Sequence, residues 1–572
     1  MISFHKRSSI YSWLMQYRRL IIAILAIGGA SLLALSLVFR QNGWPMNHEM
    51  VSFSMRTQLY AHHFLNGDFL PIWSSIDANG YGTPSVFFYH KVFYVLSGSL
   101  YLGGLPMKMS IAGTLFLLLL LGGLGMVKLA KHYSDKLVIQ ITAGLLFILS
   151  SYAFVDWLVR GAMAEFSAFM TVPYVLLWVV LLTRKRKFSY WIIPLMTVLY
   201  FCHNILAIFS LPILLVAIIH TTVIATAHER RKIIIRSAIS LFATIVIFAP
   251  YFTFYRVYVY DYQPSVSITE EGYRPQDRMV PLQAYFLKNN LVWLRSTDDF
   301  SPYIDAAILL PVLVLMGIVV WNRMIRKHYR MFSTRPELLT YGITLIVYFF
   351  LQTEASIPIY SSVRILETLQ FPWRLMIFII PLLIVTLLAL IQSFNNYYPK
   401  SQRLTSLVGI ILVAVMVLSG PIPKQFQYDF ISKEVFELPL TDRLMGNSNI
   451  GIGEYLPIYK DSNDHETILT EKLTKYMRND FTSPDVCTTQ KRPHIVEPRQ
   501  IVYDINCNIA VKSFPLPQNF SRLSHAVDQS GKQIHVFRNE HDPRVLVDLP
   551  RGHSIITLYQ PRWVDGITYL LK

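Results

Sequence analysis

The chain has 572 residues, of which 53% are hydrophobic and only 15% charged, and its 52 Lys and Arg against 35 Asp and Glu give a formal net charge of +17. Soluble proteins carry about 25% charged residues, and the mean hydropathy here is +0.39, so much of the chain belongs in a solvent other than water. Such a positive excess points to nucleic acid in a soluble protein; here the basic residues cluster between apolar runs and no basic, aromatic patch stands outside them, which excludes nucleic acid as a partner.

The first apolar run, Leu20–Phe39, follows Lys6, Arg7, Arg18 and Arg19. It is long and lacks a small-residue cleavage site, so it reads as a retained first helix with a cytoplasmic N-terminus. Runs at Ile111–Ala130, Ile233–Phe252 and Ile304–Trp321 likewise approach the ~20 apolar residues an α-helix needs to cross ~30 Å of hydrocarbon. Lipid offers the backbone no hydrogen-bond partners, so these runs are helices. The basic clusters Lys128–Lys136, Arg184–Lys187, Arg230–Arg236, Arg323–Arg330 and Lys400–Arg403 are assigned to the cytoplasmic side. Crossings then fit at about 137–155, 166–182, 188–202, 204–223, 232–253, 303–322, 338–352, 373–392 and 403–420, for roughly eleven transmembrane helices in all.

Residues 86–106 are aromatic and moderately apolar but contain His90 and Lys91. If they crossed, every later basic loop would lie outside, so they are read as lying in the interface. Residues 41–108 thereby become one long outer loop holding two non-spanning helices near 49–66 and 87–103. After residue 420 the chain turns polar, with strand-like runs at Gln500–Ile505, Lys532–Arg538, Arg544–Leu549 and Ser554–Gln560 separated by turn formers. The expected architecture is a membrane domain over 1–420 followed by a small β-rich extracytoplasmic domain over 421–572. Cys487 and Cys507 both fall in that domain, where a disulfide is permitted; two unpaired thiols are the alternative. Cys202, within the membrane, reads as a packing residue.

Candidate chemistry sits in the outer loops. Asn47 is suited to cap a helix starting near Glu49, and Gly67 to end it. Helical periodicity would set Glu49, Phe53 and Arg56 on one face. Glu49 is then either a general base or metal ligand at the membrane surface, or a charge complementing the helix dipole. Gly80-Tyr81-Gly82-Thr83-Pro84 shapes a site or merely turns the chain. Arg160 and Glu165, with Asp156 before them, form either a functional cluster or a structural ion pair. His203-Asn204 marks an outer turn. In Gln370-Phe371-Pro372-Trp373-Arg374, Pro372 suits a first helical turn, and Arg374 either grips a lipid phosphate or snorkels to the surface.

Gly67 through Trp73, the Gly80–Tyr89 stretch, Arg160-Gly161-x-x-x-Glu165, His203 and Gln370-Phe371-Pro372-Trp373-Arg374, in this order, resemble the bacterial membrane proteins named 6-pyruvoyl-tetrahydropterin synthase-related and the neighbouring YfhO-like proteins. The resemblance covers residues 15–420; nothing in it suggests pterin chemistry. That group is similar in architecture to the GT-C glycosyltransferases, which have a cytoplasmic N-terminus and a long first outer loop with an acidic residue and two interfacial helices. Family members place an Asp followed by a His ahead of the loop's Arg; this chain has Glu49 and Phe53, with His48 beside the glutamate.

The resemblance implies an enzyme of the bacterial cytoplasmic membrane that moves a sugar from a polyprenyl-phosphate donor to an extracytoplasmic glycan, glycolipid or protein. Glu49 would serve as the base, and Arg374, Arg160, His203, Arg56 and Glu165 would form the donor-phosphate site. No cofactor is expected beyond the lipid-linked sugar, and no metal is predicted because no ligand cluster is visible. Alternatives are a transporter of lipid-linked saccharide, or an envelope-assembly protein that keeps the fold without the chemistry.

Overall fold

A computed structural model describes residues 2–49, 52–75, 77, 82–259, 261–264, 274–286, 304–325, 336–419, 430–437, 455–460, 466–468, 486–489, 494–497 and 500–560. Gly80, Tyr81 and the end of the Arg323–Arg330 cluster lie outside these residues. The chain is mostly helical through residue 419 and β-rich toward its C-terminus. Among the described residues, seven helices are long and apolar enough to cross a membrane: Tyr17–Ala34, Met107–Ala130, Leu137–Arg160, Met163–Lys185, Asn204–Ile224, Ala227–Val259 and Pro372–Tyr397. The pair Glu337–Phe350 and Glu354–Ser362, bent by 88°, makes an eighth if it is one broken span. Shorter apolar helices occupy Val92–Leu102, Ile192–Cys202, Ala306–Ile318 and Gln402–Leu418. Helix Ala227–Val259 leaves Ile234, Leu241, Phe242, Ile245 and Val246 exposed. A stripe of that kind is covered by lipid in a membrane protein and would be an aggregation surface in water.

Two compact units form, each from three segments, a division that runs across the composition boundary at residue 420. The first combines residues 1–50, 111–244 and 271–433. Helix Met163–Lys185 lies within it, carrying Glu165 in its first turn and Arg184 and Lys185 in its last, charges that complement its dipole. The 3₁₀ turn Pro372–Leu375 leads into the buried helix Met376–Tyr397, with Pro372 at the first position as its fixed φ favours. At the far end of this helix pair, Arg184 contacts Glu337 at 2.5 Å and Gln392 Oε1 at 3.0 Å, and its guanidinium lies over the Tyr133 ring. Tyr133 and Tyr341 share a hydrogen bond of 2.9 Å there.

The second unit combines residues 51–110, 245–270 and 434–572. Helix Ser52–Leu65 packs on Val92–Leu102, and Thr57 Oγ1 and Ser97 Oγ share a 2.8 Å hydrogen bond between them. Gly98 permits that close approach, since a Cβ there would lie 3.0 Å from Tyr60 Cβ. The first helix stops at Gly67, whose φ of 72° suits a glycine. Strands Gln500–Cys507 and Gly552–Tyr559 pair antiparallel along their whole length, and Val511–Asn519, Asp542–Leu549 and Val536–Asn539 form a second sheet. Ile501, Tyr503, Ile505, Phe514, Leu516, Val545, Val547, Ile556 and Leu558 join in one core drawing on both sheets. Cys487 and Cys507 are disulfide-bonded within that core. Phe87 stacks on Tyr251 at 4.4 Å, Tyr262 donates to the Phe520 carbonyl at 2.7 Å, and Asp261 is paired with Arg522 and Arg538. Residues 52–110 and 245–264 are thus built into the β-rich unit.

Candidate functional site

The Leu137–Arg160 span ends on a π-helical turn, Val155–Arg160, closed by Gly161 at φ 69°. Turns of this kind recur at functional sites because the extra residue re-aims neighbouring side chains. Here Ala162 N–H donates to the Asp156 carbonyl at 2.7 Å, and the chain re-enters helix at Met163. The break sets Tyr152, Asp156, Arg160 and Glu165 around one point.

Arg160 Nη1 lies 3.0 Å from Asp156 Oδ1 and 2.8 Å from Glu165 Oε2. Tyr152 donates its hydroxyl to Glu165 Oε1 at 2.7 Å. Arg374, in the turn Pro372–Leu375, approaches the same carboxylate, Nε to Glu165 Oε2 at 3.2 Å. Its Nη1 donates to the Leu369 carbonyl at 3.0 Å and to Gln370 Oε1 at 2.9 Å. Gln370 adopts φ 61°, and the guanidinium sits 4.9 Å from the Phe371 ring centroid, with Phe371 stacked on Trp373. Both arginines meet Glu165 Oε2 at ion-pair distance rather than through aligned hydrogen bonds.

All four charges are withdrawn from solvent, the Asp156 and Glu165 side chains at 0% and 1% exposure and those of Arg160 and Arg374 at 9% and 12%. By formal charge the two guanidiniums balance the two carboxylates, and such pairing is what makes burial of charged groups tolerable. Sequence had flagged each member; the sharing of one glutamate by Arg160 and Arg374 is long-range and invisible to spacing. Tyr152 was missed, its only signal being the apolar helix around it.

Glu49 is held against this cluster by its backbone. Its N–H donates to the Arg160 carbonyl at 3.2 Å, and His48 N–H donates to the Val159 carbonyl at 3.1 Å. The expected helix start near Glu49, capped by Asn47, is not what forms. Among the described residues the helix begins at Ser52, with Glu49 in a turn before it, because residues 48 and 49 spend their amides on the 155–160 turn. Glu49 therefore does not share a helix face with Phe53 and Arg56. A Cβ on Gly161 would sit 2.7 Å from Asn47 Oδ1 and 3.0 Å from Glu49 Cβ, so glycine is required for the two strands of backbone to touch.

The other expected site residues, Arg56 and His203, make the following contacts. Arg56, in the second unit, is buried with its guanidinium 3.6 Å from the Tyr89 ring centroid and Nη1 donating to Ser52 Oγ at 3.2 Å. His203 is buried between helices Ile192–Cys202 and Asn204–Phe209, where its Nδ1 accepts from Leu206 N–H at 3.4 Å as an N-cap. Gly82 has φ 76° and abuts Trp73 and Gln518. Lys91, read only as a charge that keeps residues 86–106 from crossing, is buried with its ammonium donating to the Pro71 and Val86 carbonyls, and the His63–Asp68 pair at 2.9 Å was not expected. Burial pushes Lys91 down to about 7. Among the described residues, no three His, Cys, Asp or Glu side chains converge to hold a metal ion.

No protein-family model matches the chain, and no curated protein matches it significantly.

Proposed function

We propose that the chain is a membrane glycosyltransferase of the GT-C plan, moving a sugar from a polyprenyl-phosphate donor to an extracytoplasmic acceptor. In this reading the bent pair and the helices Ile192–Cys202, Ala306–Ile318 and Gln402–Leu418 complete roughly eleven crossings of the bacterial cytoplasmic membrane. The N-terminus is cytoplasmic and the β-rich region extracytoplasmic; the Cys487–Cys507 disulfide supports that side.

The observation that carries the reading is the backbone junction of Glu49 with Arg160, beside a carboxylate shared by Arg160 and Arg374. It joins the backbone of the first loop's acidic residue to that of Arg160, whose guanidinium shares Glu165 with Arg374. The acceptor hydroxyl attacks the anomeric carbon, Glu49 takes its proton, and the bond from that carbon to the phosphate oxygen breaks. Arg374 and Arg160 stabilise the charge arriving on the departing polyprenyl phosphate, while Glu165, Asp156 and Gln370 hold the guanidiniums in place. In this reading Arg56, held by Ser52 and Tyr89, and His203, which caps Asn204–Phe209, act through the packing of their own elements.

A second reading, envelope assembly without catalysis, is favoured by the neutrality of the cluster: a purely structural lock would be built the same way. Radiolabelled sugar transfer from polyprenyl-phosphate donors in membranes, comparing the native chain with Glu49→Gln, separates the two. Catalysis predicts transfer that falls by about 100-fold or more in the variant. Equal rates would remove Glu49 from the chemistry, and absence of native transfer across donors would favour the assembly role.

A further inference from the structure

We infer that the Asn47 carboxamide, beside the 155–161 turn, is a binding group for a sugar hydroxyl; the inference rests on the glycosyltransferase reading and names a subsite within it. Asn47 is 6% exposed, yet among the described residues neither Oδ1 nor Nδ2 has a hydrogen-bond partner. Its position is fixed twice over: the next two residues are tied to the Val159 and Arg160 carbonyls, and Oδ1 lies 2.7 Å from where a Cβ of Gly161 would stand. A side chain so held cannot swing to solvent to recover the bonds it has lost, and buried polar groups without partners are rare because they are costly.

The carboxamide offers donors at Nδ2 and an acceptor at Oδ1. A phosphate is acceptor-only and would leave Oδ1 unsatisfied. Sugar hydroxyls donate and accept at once, and vicinal hydroxyls match the paired polar atoms of a carboxamide. The hydroxyls belong to the donor sugar or to a saccharide acceptor.

The test is thermal unfolding of the detergent-solubilised full chain with polyprenyl monophosphate, with polyprenyl-phosphate glucose, mannose and N-acetylglucosamine, and with soluble oligosaccharides. Native protein should bind at least one sugar-bearing lipid or oligosaccharide more tightly than the sugar-free lipid accounts for. Asn47→Leu and the smaller Asn47→Ala should lose that sugar-dependent increment by about tenfold or more in affinity, with binding of polyprenyl monophosphate unchanged. Loss confined to the lipid-linked sugars assigns the subsite to the donor, and loss confined to oligosaccharides to the acceptor. Without ligand, Asn47→Leu should unfold no earlier than native, since no protein hydrogen bond is removed. Retention of the sugar increment in both variants, or a fall of roughly 5 °C or more in unliganded Asn47→Leu, overturns the assignment. Native protein that binds polyprenyl monophosphate with no added effect of any sugar overturns the subsite alone; native protein that responds to none of the probes overturns the glycosyltransferase reading with it.

Discussion

Arg374 Nε stands 3.2 Å from Glu165 Oε2, the same oxygen that Arg160 approaches at 2.8 Å, so one buried carboxylate joins two helix junctions more than two hundred residues apart in sequence. Removing its charge would leave two guanidiniums with Asp156 as their remaining described carboxylate. Glu165→Gln keeps the size of the side chain and an acceptor for the Tyr152 hydroxyl, so its effect isolates the charge. It should cost about 3–5 kcal/mol, as for other buried pairs broken on one side. Glu165→Gln combined with Arg374→Met should recover part of that loss, measured by thermal unfolding in detergent. An additive double variant would show that the two residues do not share a charge balance.

Gly161 separates two kinds of glycine in this chain. Its φ of 69° and the 2.7 Å approach of Asn47 Oδ1 to a notional Cβ both argue that Gly161→Ala destabilises, by about 1–3 kcal/mol. Gly317, within helix Ala306–Ile325, has nothing within 4 Å of its notional Cβ, and Gly317→Ala should be neutral or stabilising by up to about 1 kcal/mol. Transfer activity should fall with Gly161→Ala and hold with Gly317→Ala. Equal effects would mean that the contact at Gly161 does not position the Glu49 segment.

The long apolar helices and the strands near Gln500–Ile505 and Ser554–Gln560 were legible because burial in lipid or in a sheet face imposes a local pattern on the residues themselves. Val511–Asn519 escaped notice since Pro515 and Pro517 read as breakers, yet the strand forms beside Asp542–Leu549 with its register shifted along the way. Each charged member of the Glu165 cluster stood out as an ionisable group among apolar neighbours. Their convergence depends on helix packing, which spacing does not encode. The start of the first-loop helix was misplaced for a similar reason: Asn47 looks like a cap, but the amides of His48 and Glu49 find carbonyls on a turn over a hundred residues away.

Lys91 gives the second unit a pH dependence of known sign. Its amine is fully buried, and desolvation brings it from 10.5 to about 7, against the opposing pull of Asp68. Between about pH 7 and 10.5 the unfolded chain therefore binds more protons here than the folded one, so this residue makes stability rise with pH across that window. The whole effect is worth about 5 kcal/mol at most, reduced by whatever the carbonyls of Pro71 and Val86 return to the ammonium. Lys91→Met should gain most over native at pH 7 and below, with the advantage shrinking toward pH 10. A difference in unfolding temperature that is flat from pH 6 to 10 would show that Lys91 keeps its proton when folded.

Cys487 and Cys507 face each other across paired strands and close a loop with a sequence separation of 20. Cross-linking a loop of that length stabilises by about 3 kcal/mol through the unfolded chain. Dithiothreitol, or Cys487→Ala with Cys507→Ala, should lower the unfolding temperature by a corresponding amount, and the reductant should leave the double variant unaffected. The same bond supports an extracytoplasmic position, which a separate measurement can check. Ile509 is 57% exposed just beyond the second cysteine, whereas the remaining thiol, Cys202, is buried. A membrane-impermeant maleimide should label Ile509→Cys in intact spheroplasts and leave the native chain unmodified. Labelling that requires permeabilised membranes would put the β-rich region in the cytoplasm and remove the orientation on which the proposed chemistry depends.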